Sequence, residues 1–160
     1  MLEAAIIYSS IIFGKILNIV AKEEIRQGRK YITAAKNILI ILAAVFFIYL
    51  SLKLSVILFS FFGFIIFIFL KKPYLFYFLV GLAAFLSLLT ANPILFLSII
   101  FLLSITQSSL SSLNKKEIII ASVCFILPFS LIFLETFINA NLNIFTGFVA
   151  GSLLAQLKGP

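Results

Sequence analysis

The sequence predicts an all-α, multi-pass transmembrane helical bundle, and composition is the first of three observations behind this prediction. Of the 160 residues, 64% are hydrophobic and only 11% are charged, with a mean hydropathy of +1.29. Soluble domains run near ~45–50% apolar and ~25% charged. A soluble fold of this chain would leave large apolar patches in water, and disordered chains are poor in apolar residues. The chain therefore requires a lipid environment.

The second observation is the spacing of polar breaks. An apolar block over 2–21 precedes a polar stretch over 22–30, and three apolar blocks of about 40 residues follow, at 31–70, 73–113 and 118–157. A 40-residue helix would be about 60 Å long, whereas the hydrocarbon core of a bilayer is about 30 Å thick. Each long block must therefore fold back once.

The third observation is a break near the middle of each long block, at Ser51-Leu-Lys53, Asn92-Pro93 and 139–143. One span plus three hairpins gives seven helices. We expect them at about 2–21, 32–52, 54–70, 74–91, 94–113, 118–138 and 144–157. At ~20 residues each, the spans use most of the chain. A single transmembrane domain with no soluble domain is therefore expected.

Charge predicts the orientation, because Lys and Arg in short loops stay on the cytoplasmic side. With the N-terminus outside and the C-terminus inside, ten of the twelve basic residues face the cytoplasm. Lys53 alone lies outside, and Lys15 lies within the first span, which could also be re-entrant for that reason. A prokaryotic plasma membrane is the simplest location.

Missing residue types exclude most enzyme classes. The chain has no His and no Asp, and its single cysteine is Cys124. Aspartyl proteases, zinc enzymes and haem or iron–sulfur proteins lack their usual groups here. No phosphate-binding or dinucleotide-binding motif is present. We expect a non-enzyme with no cofactor, no metal and no nucleic-acid partner.

The outer polar residues form one candidate site. Three charges fall on the predicted outer side, Glu3, Lys53 and Glu135, and Asn92 lies near them. Glu135 is within an apolar helix, where an unpaired carboxylate is costly. If their helices meet, these residues would form a polar outer cup for a cation, a small solute or a proton relay. The simpler interpretation is unconnected interfacial charges or one structural ion pair.

Lys15 is a second candidate, about six residues from the cytoplasmic end of its span. This is a depth of ~9 Å at 1.5 Å per residue, which a lysine side chain can reach across by snorkelling. On one helical face it aligns with Tyr8, Ile12 and Asn18. A structural contact is the simpler interpretation, and an ion or substrate role is the alternative.

Two further groups of residues are candidates for contacts with lipid and for contacts between helices. Arg26, Arg29 and Lys30 are candidates for binding anionic headgroups, although they could serve only to set topology. Small residues mark helix packing. They recur at Gly147, Gly151 and Ala155, and serines recur at Ser104, Ser108 and Ser112. The serine face is either a packing surface or a polar pathway, and Pro128 should kink its helix.

Three functions fit these patterns. The first is a non-catalytic subunit or scaffold of a membrane complex, in contact with membrane lipids and with a membrane protein partner or a second copy of itself. The second is a small-solute or ion transporter, or a substrate-binding membrane component, that uses the outer cup around Glu135. A distant third is an intramembrane lipid-modifying enzyme.

Overall fold

The computed structural model is helical throughout the part of the chain it describes, residues 2–49, 53–70, 73–90, 93–111 and 114–157. It is 92% helical and has no strands there. The helices are α1 (Leu2–Val20), α2 (Lys22–Tyr49), α3 (Leu54–Phe69), α4 (Pro73–Leu88), α5 (Pro93–Leu110), α6 (Lys115–Ile126), α7 (Glu135–Ala140) and α8 (Leu142–Leu154). A 3₁₀ segment, Leu127–Leu134, joins α6 to α7. With α6 through α7 taken as one helix, the described residues form seven helices, the number predicted from the sequence.

Within the described ranges, three helices are long and apolar enough to cross a membrane. They are Lys22–Tyr49, Pro93–Leu110 and Lys116–Ala140. Four shorter apolar helices are Ala5–Val20, Leu54–Phe69, Tyr74–Leu88 and Leu142–Leu154. By length and composition, these helices support a membrane protein in general.

The polar stretch 22–30 is part of α2, which begins at Lys22 rather than near residue 32. Helical hydrogen bonds cross the α1–α2 junction, because Ala21 N donates to the Leu17 carbonyl and Ile25 N donates to the Ala21 carbonyl, both at 2.9 Å. Two acidic residues in the first turn suit the positive end of the helix dipole. The helix continues through Gly28.

Helix α4 is the centre of the bundle. Every residue from Leu79 to Ser87 is buried, so this helix is apolar on all sides and covered on all sides. The surrounding helices instead turn bulky apolar side chains outward. Phe133 is 88% exposed, Phe69 81% and Ile94 80%. Such a surface is suited to lipid rather than to water.

Glycine allows close approach of α3 and α8. A Cβ added at Gly147 would overlap the backbone of Val56, and one added at Gly151 would overlap the backbone of Ser60. Gly63 of α3 faces α8 in the same way. The paired positions advance together along both helices, so α3 and α8 run parallel. Small residues that let backbones meet are typical of helix pairs in membranes.

The pair of α4 and α6 repeats this arrangement. Gly81 lies against the backbone of Phe125. One turn further on, the rings of Phe85 and Phe129 pack edge to face with centroids 6.2 Å apart. These contacts also advance together, so the two helices are parallel.

Helix α5 packs against two helices, α1 and α2, that run in opposite directions. A Cβ at Gly14 of α1 would lie 2.6 Å from the Ile105 carbonyl oxygen, and Asn18 reaches Ser109 further along α5, so α1 and α5 are parallel. Phe47, near the end of α2, instead packs on a ring near the start of α5, that of Phe96, with centroids 5.1 Å apart. α2 therefore runs antiparallel to α5.

Pro128 changes the type of helix rather than only bending it. The α-helical hydrogen-bond pattern ends at Ile126, and eight residues follow as a 3₁₀ segment. Proline has no N–H to donate, and its ring collides with the preceding turn of an α-helix. The tighter 3₁₀ geometry tolerates both the missing N–H and the proline ring, and the helical segment continues into α7.

Candidate functional site

The structure contains a cavity of about 150 Å³ between α1, α4, α5 and α6. A single water needs only ~10–15 Å³ of such a cavity, so there is room for a small polar group. Its polar lining residues are Tyr8, Lys15, Tyr77, Ser108, Ser111 and Ser122, and five isoleucines supply the rest. Lys15 is the only charged residue among these described lining residues. We name this the Lys15 cavity.

Tyr77 is the central hydroxyl of the Lys15 cavity. It is fully buried in α4, and its phenolic oxygen lies 3.2 Å from the Oγ of Ser108 and 3.2 Å from the Oγ of Ser111. The Ser111 hydroxyl donates to the Ser108 carbonyl at 3.1 Å. Since that bond uses the Ser111 hydrogen, Tyr77 donates to Ser111 and accepts from Ser108.

Two side chains of α1 approach the end of α5. Lys15 Nζ donates to the Ser111 carbonyl at 3.5 Å, and the Asn18 amide donates to the Ser109 carbonyl. The last carbonyls of a helix lack partners within the helix and carry the negative end of its dipole. A lysine and an amide donor therefore suit this position, which explains why a charged residue is held within α1.

Tyr8 forms the side of the cavity that faces α6. Its hydroxyl donates to Ser122 Oγ at 3.1 Å, and Ser122 in turn donates to the Ile118 carbonyl at 2.9 Å. The Tyr8 ring also packs on Phe125, with centroids 5.8 Å apart. The contact joins α1 to α6 through a polar bond within an otherwise apolar interface.

The rim of the cavity is apolar and lies on the outer surface of α1. Ile12 is 49% exposed, Ile16 48% and Ile19 68%, yet all three line the cavity. The cavity therefore opens sideways, toward the apolar outer surface of α1.

Two residues of the predicted outer cup, Lys53 and Glu135, lie in the described part of the chain. Lys53 lies at the N-cap of α3 and Glu135 begins α7, and both side chains are exposed. Among the described residues these two form no ion pair with each other. Asn92 and the side chain of Glu3 lie outside the described part of the chain, as does Ser112.

The remaining predicted residues occupy two regions. Arg26, Arg29 and Lys30 are exposed on the first half of α2. Gly147 and Gly151 lie in the α3–α8 contact described above. Ala155 is partly buried beyond the end of α8 and packs against the core.

The sequence did not predict the whole or partial burial of three polar residues, Lys36, Tyr77 and Ser122. Lys36, counted among the cytoplasmic charges, is buried at 3% exposure. It shares a helical face with buried Ile40, Ala43 and Phe47. That periodicity was a readable signal. No such pattern in the sequence marks Tyr77 and Ser122, because they reach the cavity from helices distant in sequence from Lys15.

The chain shows no match to any protein family model, curated protein or solved structure with which it was compared.

Proposed function

We propose that this chain is a non-catalytic, seven-span integral membrane protein that acts as a subunit or scaffold of a membrane complex. The observation that carries the proposal is the distribution of apolar surface. Helix α4 is enclosed from Leu79 to Ser87, while the outer helices expose large side chains such as Phe61 and Phe133. Such a bundle presents apolar faces on which both lipids and the helices of a partner can pack.

Helix directions support the alternating topology of this proposal. Helices α1 and α5 are parallel, as are α3 and α8, and as are α4 and α6, whereas α2 opposes α5. A chain that crosses a bilayer seven times in alternating directions has these relations. The N-terminus is then outside and the C-terminus inside, as the basic residues favour.

The hydroxyl groups support a packing role. Ser87 donates to the Ala84 carbonyl at 2.7 Å, and Thr106 donates to the Leu103 carbonyl at 2.9 Å. Ser152 bonds the Phe148 carbonyl in the same way, at 2.7 Å. These hydroxyls are bonded within their own helices, as expected for side chains that permit close helix contact rather than act on a substrate.

Crosslinking in intact host membranes, followed by affinity purification of the tagged chain, tests the subunit role. We expect one further membrane protein to be recovered in a fixed ratio to the chain. An unrelated polytopic protein with the same tag, expressed at the same level, is the control and should not recover it. Recovery of the chain alone, with and without crosslinker, would contradict the proposal.

A second candidate function is a substrate-binding membrane component, and the Lys15 cavity favours it. The sequence placed this function at an outer cup around Glu135. The geometry instead gathers polar side chains from four helices around Lys15. If the chain binds a solute or headgroup, this cavity is the best place for it.

A further inference from the structure

We propose that the Lys15 cavity binds one phosphate-bearing anionic group, which enters from the membrane between α1 and α6. The proposal deepens the second candidate function and rests on the bundle lying in a membrane. A phospholipid headgroup and a free phosphate offer the same chemistry to this cavity. The position of the rim favours the lipid.

Charge is the first argument for an anionic ligand. Lys15 is the one charged residue among the described lining residues, which include no acid. Its contact with the Ser111 carbonyl is long, at 3.5 Å. A charged phosphate oxygen accepts from an ammonium at about 2.7–2.9 Å and roughly twice as strongly as a neutral carbonyl. An entering phosphate would therefore compete with the Ser111 carbonyl for the ammonium group of Lys15.

The hydroxyls are the second argument. Tyr77, Ser108 and Ser111 form one wall, and Tyr8 and Ser122 form the wall on the α6 side. These hydroxyls now bond neutral oxygens within the protein, and a phosphate would exchange such a bond for a stronger, charge-assisted one, because a hydroxyl hydrogen rotates to suit its acceptor. Hydroxyl donors on two sides of Lys15 suit a phosphate group, which is tetrahedral and has several acceptor oxygens.

The rim is the third argument, and it favours a lipid over a free anion. Ile12, Ile16 and Ile19 line the cavity and are also exposed on the outer surface of α1. A phosphate held at Lys15 would place acyl chains along these isoleucines. Basic residues at the start of α2, including Lys22 and Arg26, are exposed beyond the same end of α1. Each would attract anionic lipid by ~1 kcal/mol.

Lipid titration of the delipidated full chain, read by native mass spectrometry, tests the proposal. The probes are dioleoyl phosphatidylglycerol, dioleoyl phosphatidylcholine and inorganic phosphate. We expect one saturable phosphatidylglycerol per chain. We expect Lys15→Met to weaken it at least ~10-fold, about 1.4 kcal/mol. Lys53→Met is the matched control, since it removes an exposed lysine that is not among the described lining residues of the cavity, and it should change the affinity less than ~2-fold.

Tyr77→Phe keeps the proposal testable if Lys15→Met does not fold. It removes one hydroxyl from the cavity wall, and we expect the affinity for phosphatidylglycerol to fall several-fold. Unchanged binding in whichever of these two variants folds would overturn the proposal. So would equal affinity of the wild type for phosphatidylcholine, whose headgroup has no net charge.

Inorganic phosphate distinguishes the two sources. If it binds alone and its binding is lost in Lys15→Met, the shared chemistry stands and the ligand is a free anion. If it neither binds nor competes, while phosphatidylglycerol does bind, the ligand is a lipid. Failure of the membrane assignment would appear separately, as release of the wild type from membranes by alkaline carbonate.

Discussion

Replacing Gly151 with leucine is expected to separate α3 from α8 and to lower the free energy of unfolding by about 3 kcal/mol, the upper range for overpacking. A Cβ at this position would overlap the carbonyl group of Ser60, which is backbone and has no rotamer with which to move aside. The two helices would have to move apart along their shared face. Gly63 and Gly147 would then lose the close contacts they make in the same interface.

Gly28 provides the matched control for this substitution. It also lies within a helix, and a Cβ added there meets nothing within 4 Å. Gly28→Leu should leave stability unchanged or raise it by up to ~1 kcal/mol through helix propensity. Unfolding in mixed micelles, followed by circular dichroism, measures both variants. A Gly151→Leu protein as stable as Gly28→Leu would contradict the packing described for α3 and α8.

Placing a lysine at Ile126 is expected to impair membrane insertion. Ile126 is 57% exposed near the middle of the apolar rod Lys116–Ala140. It lies about 15 Å along the rod from Lys116 at 1.5 Å per residue, too deep for easy snorkelling. A lysine at the centre of a span costs ~2.5–3.5 kcal/mol on insertion scales. In a water-exposed helix the same change would cost little.

Gln27→Lys is the control for Ile126→Lys. It adds the same charge at an exposed position of the polar stretch in α2. A reporter fused to the C-terminus reads the fraction of chains whose last span is in the predicted orientation. We expect this fraction to fall at least several-fold for Ile126→Lys and to remain at the wild-type level for Gln27→Lys. Equal fractions would show that Ile126 does not face lipid.

Hydropathy and charge predicted the number of helices because both are read from residues that are neighbours in the chain. Span length follows from a run of apolar residues, and a break follows from a pair such as Asn92-Pro93. The start of α2 was missed because Lys22, Glu23 and Glu24 are polar and yet compatible with a helix. Hydropathy marks where a membrane segment ends, whereas the helix itself extends beyond it.

The rotation of each helix about its axis is much harder to predict, and the candidate site depends on it. The face of Tyr8, Lys15 and Asn18 was visible from helical periodicity within α1. Its partner Tyr77 lies on α4, which is buried on every side and so offers no amphipathic signal. The exposure of both Lys53 and Glu135 agrees with the simpler interpretation made from the sequence, that of unconnected interfacial charges.

Cysteine accessibility measures directly whether the helices cross a membrane in alternating directions. In a Cys124→Ser background, single cysteines replace Lys53 and Asn139, which should be outside, and Gln27 and Lys116, which should be inside. An impermeant maleimide applied to intact cells should label the first pair, and should label the second only after permeabilisation. Labelling of all four on the same side would contradict the account, because α2 and the rod from α6 to α7 would then not span the membrane.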